Sequence, residues 1–131
     1  MTCQELLDAA VRLVCEDPSL PQNLEDYTER APYLLASCLT QCAPLDARYR
    51  LAHGLDAVEA FEGAAIDLGE AFPLCGIFAP AAVYYLAAML VIDENERMSD
   101  KYFSLYSDAL ASIQVELPAT ATHITDRYGL I

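Results

Sequence analysis

The chain has 131 residues, of which 55% are hydrophobic, and its net charge is −13. This length and apolar content are sufficient for one globular domain with a substantial core, which excludes disorder as a description of most of the chain. The acidic charge excludes unaided binding to nucleic acid or to an anionic membrane, because the chain has no basic surface that would displace counterions.

The first predicted element is an amphipathic helix over residues 4–15. Its apolar residues recur at helical spacing and are Leu6, Leu7, Ala10, Val11 and Val14. The opening MTCQELLDAA lacks the basic start and apolar core of a secretory signal, so we expect a protein that is not exported. Residues 16–23, EDPSLPQN, contain two prolines and predict an irregular connection.

A second helix is predicted to begin at Asn23, which is a suitable N-cap and is followed by two acidic residues in the first turn. Its apolar stripe consists of Tyr27, Ala31, Leu34, Leu35, Cys38, Leu39 and Cys42. Pro32 predicts either a kink or a later start of this helix. Pro44 predicts either its end or the beginning of a further short helix, which Gly54 would terminate.

Residues 55–72 form the segment with the weakest periodicity. GAAIDL, residues 63–68, alternates as a short strand does, and Gly63 and Gly69 flank it as turn residues. A strand must pair with another strand, in this chain or in a second copy. The segment therefore predicts an extended loop or a short β-hairpin near residues 60–72.

The most apolar run, IFAPAAVYYLAAMLVI at residues 77–92, predicts a buried helix with Pro80 in its first turn. As a helix it would rise about 24 Å, less than the ~30 Å hydrocarbon core of a bilayer, and its flanks lack the basic residues typical of membrane spans. A core helix is therefore favoured over a membrane span. Because an acidic turn follows, we expect this helix to pack on the next one as a hairpin.

The second helix of that hairpin is predicted to be capped by Ser99 and Asp100 and to end before Pro118. Its buried stripe should consist of Tyr102, Tyr106, Ala109, Leu110 and Ile113. Residues 118–131 are polar and threonine-rich and predict a free tail. The expected architecture is mainly α, with about four helices in one domain over residues 1–117.

No catalytic centre, metal site or cofactor is predicted. The five cysteines include no CxxC pair, so we expect free thiols. Cys38 and Cys42 lie one turn apart, as two metal ligands can, but both fall on the apolar stripe, which favours core packing. His53 precedes a predicted helix end, where an imidazole can bond the last carbonyls, and His123 has no local triad partners. We expect that the protein is not an enzyme.

Adjacent tyrosines distinguish the apolar helix. Since Tyr84 and Tyr85 cannot both point at the hairpin partner, at least one ring must leave the packed stripe. That ring either reaches the domain surface with its hydroxyl or faces a groove or another subunit.

The hairpin FPLCGIFAPAAVYYLAAMLVIDENERMSDKYFSLYSDALASI resembles the C-terminal hairpin of small bacteriophage head–tail connector proteins. The matching positions are Pro73, Phe78, Ala81 or Ala82, Tyr84, Tyr85, Ala87, Asp100, Tyr102, Phe103, Tyr106, Ala109 and Leu110. The opening TCQELLDAAVRLVCED is similar to the first helix of such proteins. The resemblance covers about the first fifteen and the last fifty residues, as a pattern of helix-packing positions.

The resemblance implies a homo-oligomeric ring beneath the portal of a phage or prophage particle, forming part of the DNA passage, with portal or tail-completion proteins as partners. It implies a location in the virion or in the bacterial cytoplasm. Possible subunit-interface residues are Ile66, Leu68, Phe72, Tyr84, Ile124 and Tyr128. The acidic charge suits a passage that repels phosphate, but it equally suits an acidic helical inhibitor or DNA mimic that binds a basic partner, or solubility alone.

Overall fold

The computed structural model describes residues 1–15 and 24–117, and the described residues form a mainly helical fold, as predicted. The α-helices are α1 (Cys3–Val14), α2 (Leu24–Ala52), α3 (Ala79–Leu90) and α4 (Glu96–Glu116), and a 3₁₀ turn at Gly76–Phe78 leads into α3. Among these helices none combines the length and the apolarity needed to cross a membrane. The predicted connection at 16–23, the cap at Asn23 and the predicted tail at 118–131 lie outside the described residues.

Helix α1 is held at its N-terminus by two sets of hydrogen bonds. Thr2 and Glu5 form a capping box, in which the Thr2 hydroxyl accepts from the Glu5 backbone N–H at 3.2 Å. The next free N–H groups, of Cys3 and Gln4, donate to carbonyl oxygens of residues 70 and 68 at 3.0 and 2.9 Å. These bonds satisfy groups that every helix leaves unpaired, and they fix residues 68–72 against α1.

Helix α2 runs without interruption through both of its prolines. The predictions of a later start at Pro32 and of a break at Pro44 are therefore wrong. Each proline removes one helical hydrogen bond, a cost of roughly 3 kcal/mol, but burial of the stripe outweighs this cost. The buried residues of α2 are Tyr27, Ala31, Leu35, Ala36, Cys38, Leu39, Cys42 and Asp46.

Helices α3 and α4 form the predicted antiparallel hairpin. The Tyr84 ring packs on the Tyr102 ring, and the Tyr85 ring packs on the Tyr106 ring. A short acidic turn connects the two helices. The predicted cap at Ser99 and Asp100 is wrong, because the cap is Asn95, whose side chain accepts from the Met98 N–H at 3.0 Å. Ser99 lies one turn inside α4, buried, and its hydroxyl donates to the Ala88 carbonyl at 2.8 Å.

The predicted strand at residues 63–68 is wrong, whereas the alternative of a loop near residues 60–72 is confirmed. The described residues contain no strand, and pairing is limited to one isolated bridge between Thr2 and Ala71. The reason is that the backbone of residues 68–72 bonds to the start of α1 instead of to a second strand. Ile66, in the middle of this loop, is 6% exposed and belongs to the core.

Helix α2 also runs antiparallel to α3. At one end, the Arg30 guanidinium donates to the Leu90 carbonyl at 2.9 Å, and at the other end the Tyr49 ring packs on Phe78 with 6.2 Å between ring centroids. Since α3 is antiparallel to both α2 and α4, the latter two run in the same direction. Both end beside the Gly76–Phe78 turn, against which α4 packs. We call this end of the bundle the exit end.

Candidate interaction surface

An exposed segment without helix or strand, residues 55–65, leaves the exit end of α2, and we call it the arm. Nearly every residue of the arm is exposed, and Phe61 is half-buried. The arm is fixed at its start, where Arg50 donates to the Asp56 carbonyl at 3.1 Å, and just after its end, where the Ile66 N–H donates to the Pro32 carbonyl at 3.1 Å. Within the described chain, residues 57–65 make no backbone–backbone hydrogen bond. Their backbone groups are therefore available to an incoming chain.

A cavity of about 170 Å³ lies between the arm and α2. Its walls are mostly apolar and are formed by Leu39, Ala43, Asp46, Ala47, Arg50, Leu51, Leu55, Ala57, Val58, Glu59, Ala60, Phe61, Pro73 and Leu74. Three of the aliphatic residues are unusually exposed for their size, Leu51 at 84%, Leu55 at 48% and Val58 at 49%. Together they make the mouth of the cavity an apolar surface open to solvent.

Asp46 and Arg50 close the inner wall of the cavity as a buried ion pair. Arg50 Nε lies 2.9 Å from a carboxylate oxygen of Asp46, which is 2% exposed. The other Asp46 oxygen accepts from the Cys75 N–H at 2.9 Å, and Arg50 also donates to the Pro73 carbonyl at 3.2 Å. These bonds give both charged groups partners within the chain and fix the start of the arm. The pair therefore has a structural rather than a reactive role.

A polar cluster lies where α2, α3 and α4 meet, at the edge of the core, and joins the buried Tyr85 and Tyr106 to the exposed Ser37 and Gln41. The Tyr85 hydroxyl donates to Ser37 Oγ at 3.0 Å, and the Tyr106 hydroxyl donates to Gln41 Oε1 at 3.1 Å. Tyr106 also lies 3.7 Å from Cys42 Sγ. Each hydroxyl therefore has a partner, as buried tyrosines require.

The thiols of Cys38 and Cys42 belong to this cluster and are buried, with 4.0 Å between the sulfur atoms. The hydrogen bond with Cys42, together with burial, raises the pKa of Cys38, and burial raises the pKa of Tyr106. No group of three or more potential metal ligands occurs in the described part of the chain. A protonated, buried thiol such as that of Cys38 is a poor nucleophile and a poor metal ligand. The same hydrogen bond lowers the pKa of Cys42, so the core-packing interpretation of the pair is favoured by the burial of both side chains.

His53 lies at the end of α2, where the sequence predicted an imidazole bonded to the last carbonyls. Its Nδ1 donates to the Tyr49 carbonyl at 2.9 Å, and the two rings stack with centroids 4.1 Å apart. Gly54 follows with a φ of +66°, the left-handed conformation that ends many helices. The interpretation of His53 as a helix-end residue is confirmed.

The structure separates the residues predicted to form a subunit interface. Ile66 is buried, and Leu68 and Phe72 are half-buried against the core beside α1. Tyr84 is the ring that leaves the stripe: it is half-buried, stacks on Tyr102 and lines a shallow groove with Leu13 and Pro80. Ile124 and Tyr128 lie outside the described residues. A role of these residues in subunit contacts stays a prediction.

The apolar mouth of the cavity was missed by sequence reasoning. The sequence feature that could have indicated it is a group of aliphatic residues, Leu51, Leu55 and Val58, on both sides of the helix-ending Gly54. These residues follow no helical or strand periodicity. The arm also carries Asp56, Glu59 and Glu62, all exposed, so the cavity mouth combines apolar surface with negative charge. Such a surface suits a segment that is apolar and carries a cation.

Comparison of the chain with protein-family models, with curated proteins and with solved structures finds no match. Functional inference therefore depends on the residues and on the geometry described above.

Proposed function

We propose that the protein is a structural subunit of a phage or prophage particle, similar to the head–tail connectors that form a ring beneath the portal and part of the DNA passage. The observation that carries the proposal is the arm, an exposed segment anchored at both ends to a helical bundle. A fixed segment with unpaired backbone groups can bond to the same segment or to a helix end of a neighbouring copy. Repetition of such a contact closes a ring when the rotation between copies permits it.

Two further features support a structural role. Every buried side-chain nitrogen and oxygen in the described chain has a hydrogen-bond partner within the chain. The net charge of −13 would keep DNA phosphates from adhering to the wall of a passage. The hairpin residues that carry the resemblance, such as Tyr85 and Tyr106, pack against each other in the core.

The experiment is to measure the mass of the purified protein by light scattering over a wide concentration range, with negative-stain imaging of the concentrated sample. Closed rings of constant size are the expected result. A strict monomer at every concentration, also after addition of a portal protein as template, would contradict the proposal.

An arm variant tests whether the arm forms the contact. Ala64→Pro removes one exposed backbone N–H from the arm and should weaken association, whereas Ala64→Ser keeps that N–H and should associate like the wild type. Equal ring formation by both variants would place the interface elsewhere.

The exposed carboxylates of the arm favour one second candidate, an acidic protein that occupies a basic cleft. Asp56, Glu59 and Glu62 recur every three residues on a segment that is fixed at both ends. A monomer that competes with double-stranded DNA for a basic DNA-binding protein, with an affinity that falls as salt rises, would support this function instead of the connector.

A further inference from the structure

We propose that the cavity between α2 and the arm is the docking site for a segment of a different protein, in which one large apolar side chain enters the cavity and a neighbouring lysine or arginine lies at its mouth. This inference goes beyond the proposed function, because the cavity can be occupied whether or not the protein forms a ring. It rests on the size of the cavity, on the exposed aliphatic side chains at its mouth and on the sign of the charge around it.

The cavity has the size of one side chain. Its volume of about 170 Å³ is close to the ~150 Å³ of a protein cavity that holds one benzene molecule, and it is below the ~300 Å³ at which small-molecule pockets begin. A single leucine, methionine or phenylalanine side chain therefore fills it, whereas a ligand of cofactor size does not fit.

The inner wall suits an apolar group, because its charged groups already have partners. Both carboxylate oxygens of Asp46 accept hydrogen bonds, one from Arg50 and one from the Cys75 N–H. The Arg50 guanidinium also donates to the carbonyl oxygens of Asp56 and Pro73. An apolar side chain that enters the cavity therefore leaves no polar group of this wall without a hydrogen bond.

The mouth of the cavity brings three exposed aliphatic side chains together, those of Leu51, Leu55 and Val58. On the described surface, three other grooves contain one exposed large apolar side chain each. Single exposed apolar residues are normal on a protein, whereas a group of them around a cavity is typical of an interaction site. Docking would remove these side chains from water.

The charge around the mouth favours a basic segment. Glu59 lines the cavity, Glu62 follows it on the exposed arm, and neither forms an ion pair with a described residue. Among the described residues, Arg50 is the one basic residue that lines the cavity, and Asp46 balances its charge. A lysine or arginine beside the docked side chain would therefore meet carboxylates that have no cation of their own.

A second copy of this chain is a poor occupant of the cavity. The arm, residues 55–65, contains three acidic residues and no lysine or arginine, so the arm of a second copy at the mouth would bring like charges together. Each copy also carries a net charge of −13, which opposes the approach of any other part of it. The same charge attracts a basic partner.

The test is a selection of random displayed peptides on the full-length protein, with a parallel selection on Leu51→Asp, which places a charge at the mouth. Leu51 is 84% exposed, so this substitution leaves the core intact. Peptides enriched on the wild type but not on the variant should share one large apolar residue flanked by lysine or arginine. Absence of such peptides, or a shared pattern without a basic residue, would overturn the proposal.

Fluorescence anisotropy then measures the affinity of one enriched, labelled peptide. Replacing its apolar residue by glycine should weaken binding roughly tenfold to a hundredfold. The double substitution Glu59→Gln and Glu62→Gln should weaken binding and reduce its dependence on salt. Tyr33→Asp is the matched control, because Tyr33 is exposed and lies in another groove, and it should bind like the wild type. Equal affinities of Leu51→Asp and wild type would contradict the proposal.

Light scattering on the same samples separates this inference from ring formation. The peptide should bind without changing the mass of the wild-type protein. Dissociation of oligomers on addition of the peptide, or in Leu51→Asp, would assign the cavity to a second copy and overturn docking of a different protein. Binding of the peptide by a protein that stays monomeric would support this inference and contradict the ring.

Discussion

Arg50 and Asp46 form a buried ion pair one turn apart on α2, with Nε 2.9 Å from the carboxylate. The pair links three parts of the chain, because its hydrogen bonds also reach Asp56 in the arm and Pro73 and Cys75 before α3. Helix α2 carries a second pair with the same spacing, Asp26 and Arg30, whose side chains are 56% and 36% exposed. The two pairs therefore differ mainly in burial.

Replacing Asp46 by alanine should lower the free energy of unfolding by about 1–3 kcal/mol, because the Cys75 N–H and the half-buried Arg50 guanidinium would both lose the carboxylate that accepts from them. Asp26→Ala removes the exposed counterpart and should cost at most about 1 kcal/mol. Urea unfolding followed by circular dichroism measures both values. Equal effects of the two substitutions would contradict the structural role of the buried pair.

The hydroxyl of Ser99 should contribute more to the free energy of unfolding than an exposed serine hydroxyl does. It donates to the Ala88 carbonyl near the end of α3, where the helix has no further N–H to offer that oxygen. Ser99→Ala should therefore cost about 1–3 kcal/mol in thermal or urea unfolding. Ser107→Ala, on the exposed face of α4, should change stability by less than about 0.5 kcal/mol.

The adjacent tyrosines of α3 should respond differently to loss of the hydroxyl. Tyr85→Phe breaks the bonds with Ser37 and Gln41 and should cost about 0.5–1.5 kcal/mol. Tyr84 makes no side-chain hydrogen bond to the described residues, so Tyr84→Phe should leave the urea midpoint almost unchanged. A larger loss for the Tyr84 variant would show that this hydroxyl has a partner elsewhere.

Gly54 and Gly76 form a matched pair for backbone conformation, since a Cβ atom would meet no atom within 4 Å at either position. Gly54 has a φ of +66°, so Gly54→Ala should destabilise the protein by about 1 kcal/mol through backbone strain alone. Gly76→Ala requires no such conformation and should be neutral or stabilising by up to about 1 kcal/mol. Gly54→Ala should therefore lower the melting temperature, whereas Gly76→Ala should leave it unchanged or raise it.

Alkaline pH should destabilise the fold through its buried thiols. Burial, with smaller contributions from Glu70 and Asp67, raises the pKa of Cys3 above its ordinary value of 9.0, and burial followed by Asp46 raises the pKa of Cys75. Because the folded state holds these protons more tightly than the unfolded chain does, the stabilising contribution is complete below the ordinary thiol pKa. It is lost as pH rises from that value toward the raised pKa values of the folded state. The free energy of unfolding should therefore fall as pH rises above about 9. In Cys3→Ala this decrease should be smaller, and an unchanged slope would contradict the assignment.

Local sequence pattern predicted the parts of the fold that depend on helical periodicity. The stripe from Leu6 to Val14, the apolar run after Pro80 and the stripe of Tyr102, Tyr106 and Ile113 each define a face, and a face that must be buried predicts a helix wherever its partner lies. Local sequence also predicted the helix end at His53 and Gly54, because glycine readily adopts the left-handed conformation that ends many helices.

Tertiary structure decided what periodicity could not. Pro44 stays within α2 because buried side chains on both sides of it pack against the other helices, and this energy is not visible in the local sequence. Ser99 became a buried contact across the hairpin instead of a cap because Asn95 had already capped α4. The Asp46–Arg50 pair is local, at i and i+4 on α2, but its bond to the Cys75 N–H joins residues 29 apart in the sequence. That bond, and the cavity between α2 and residues 55–74, follow only from the way the chain folds back on α2.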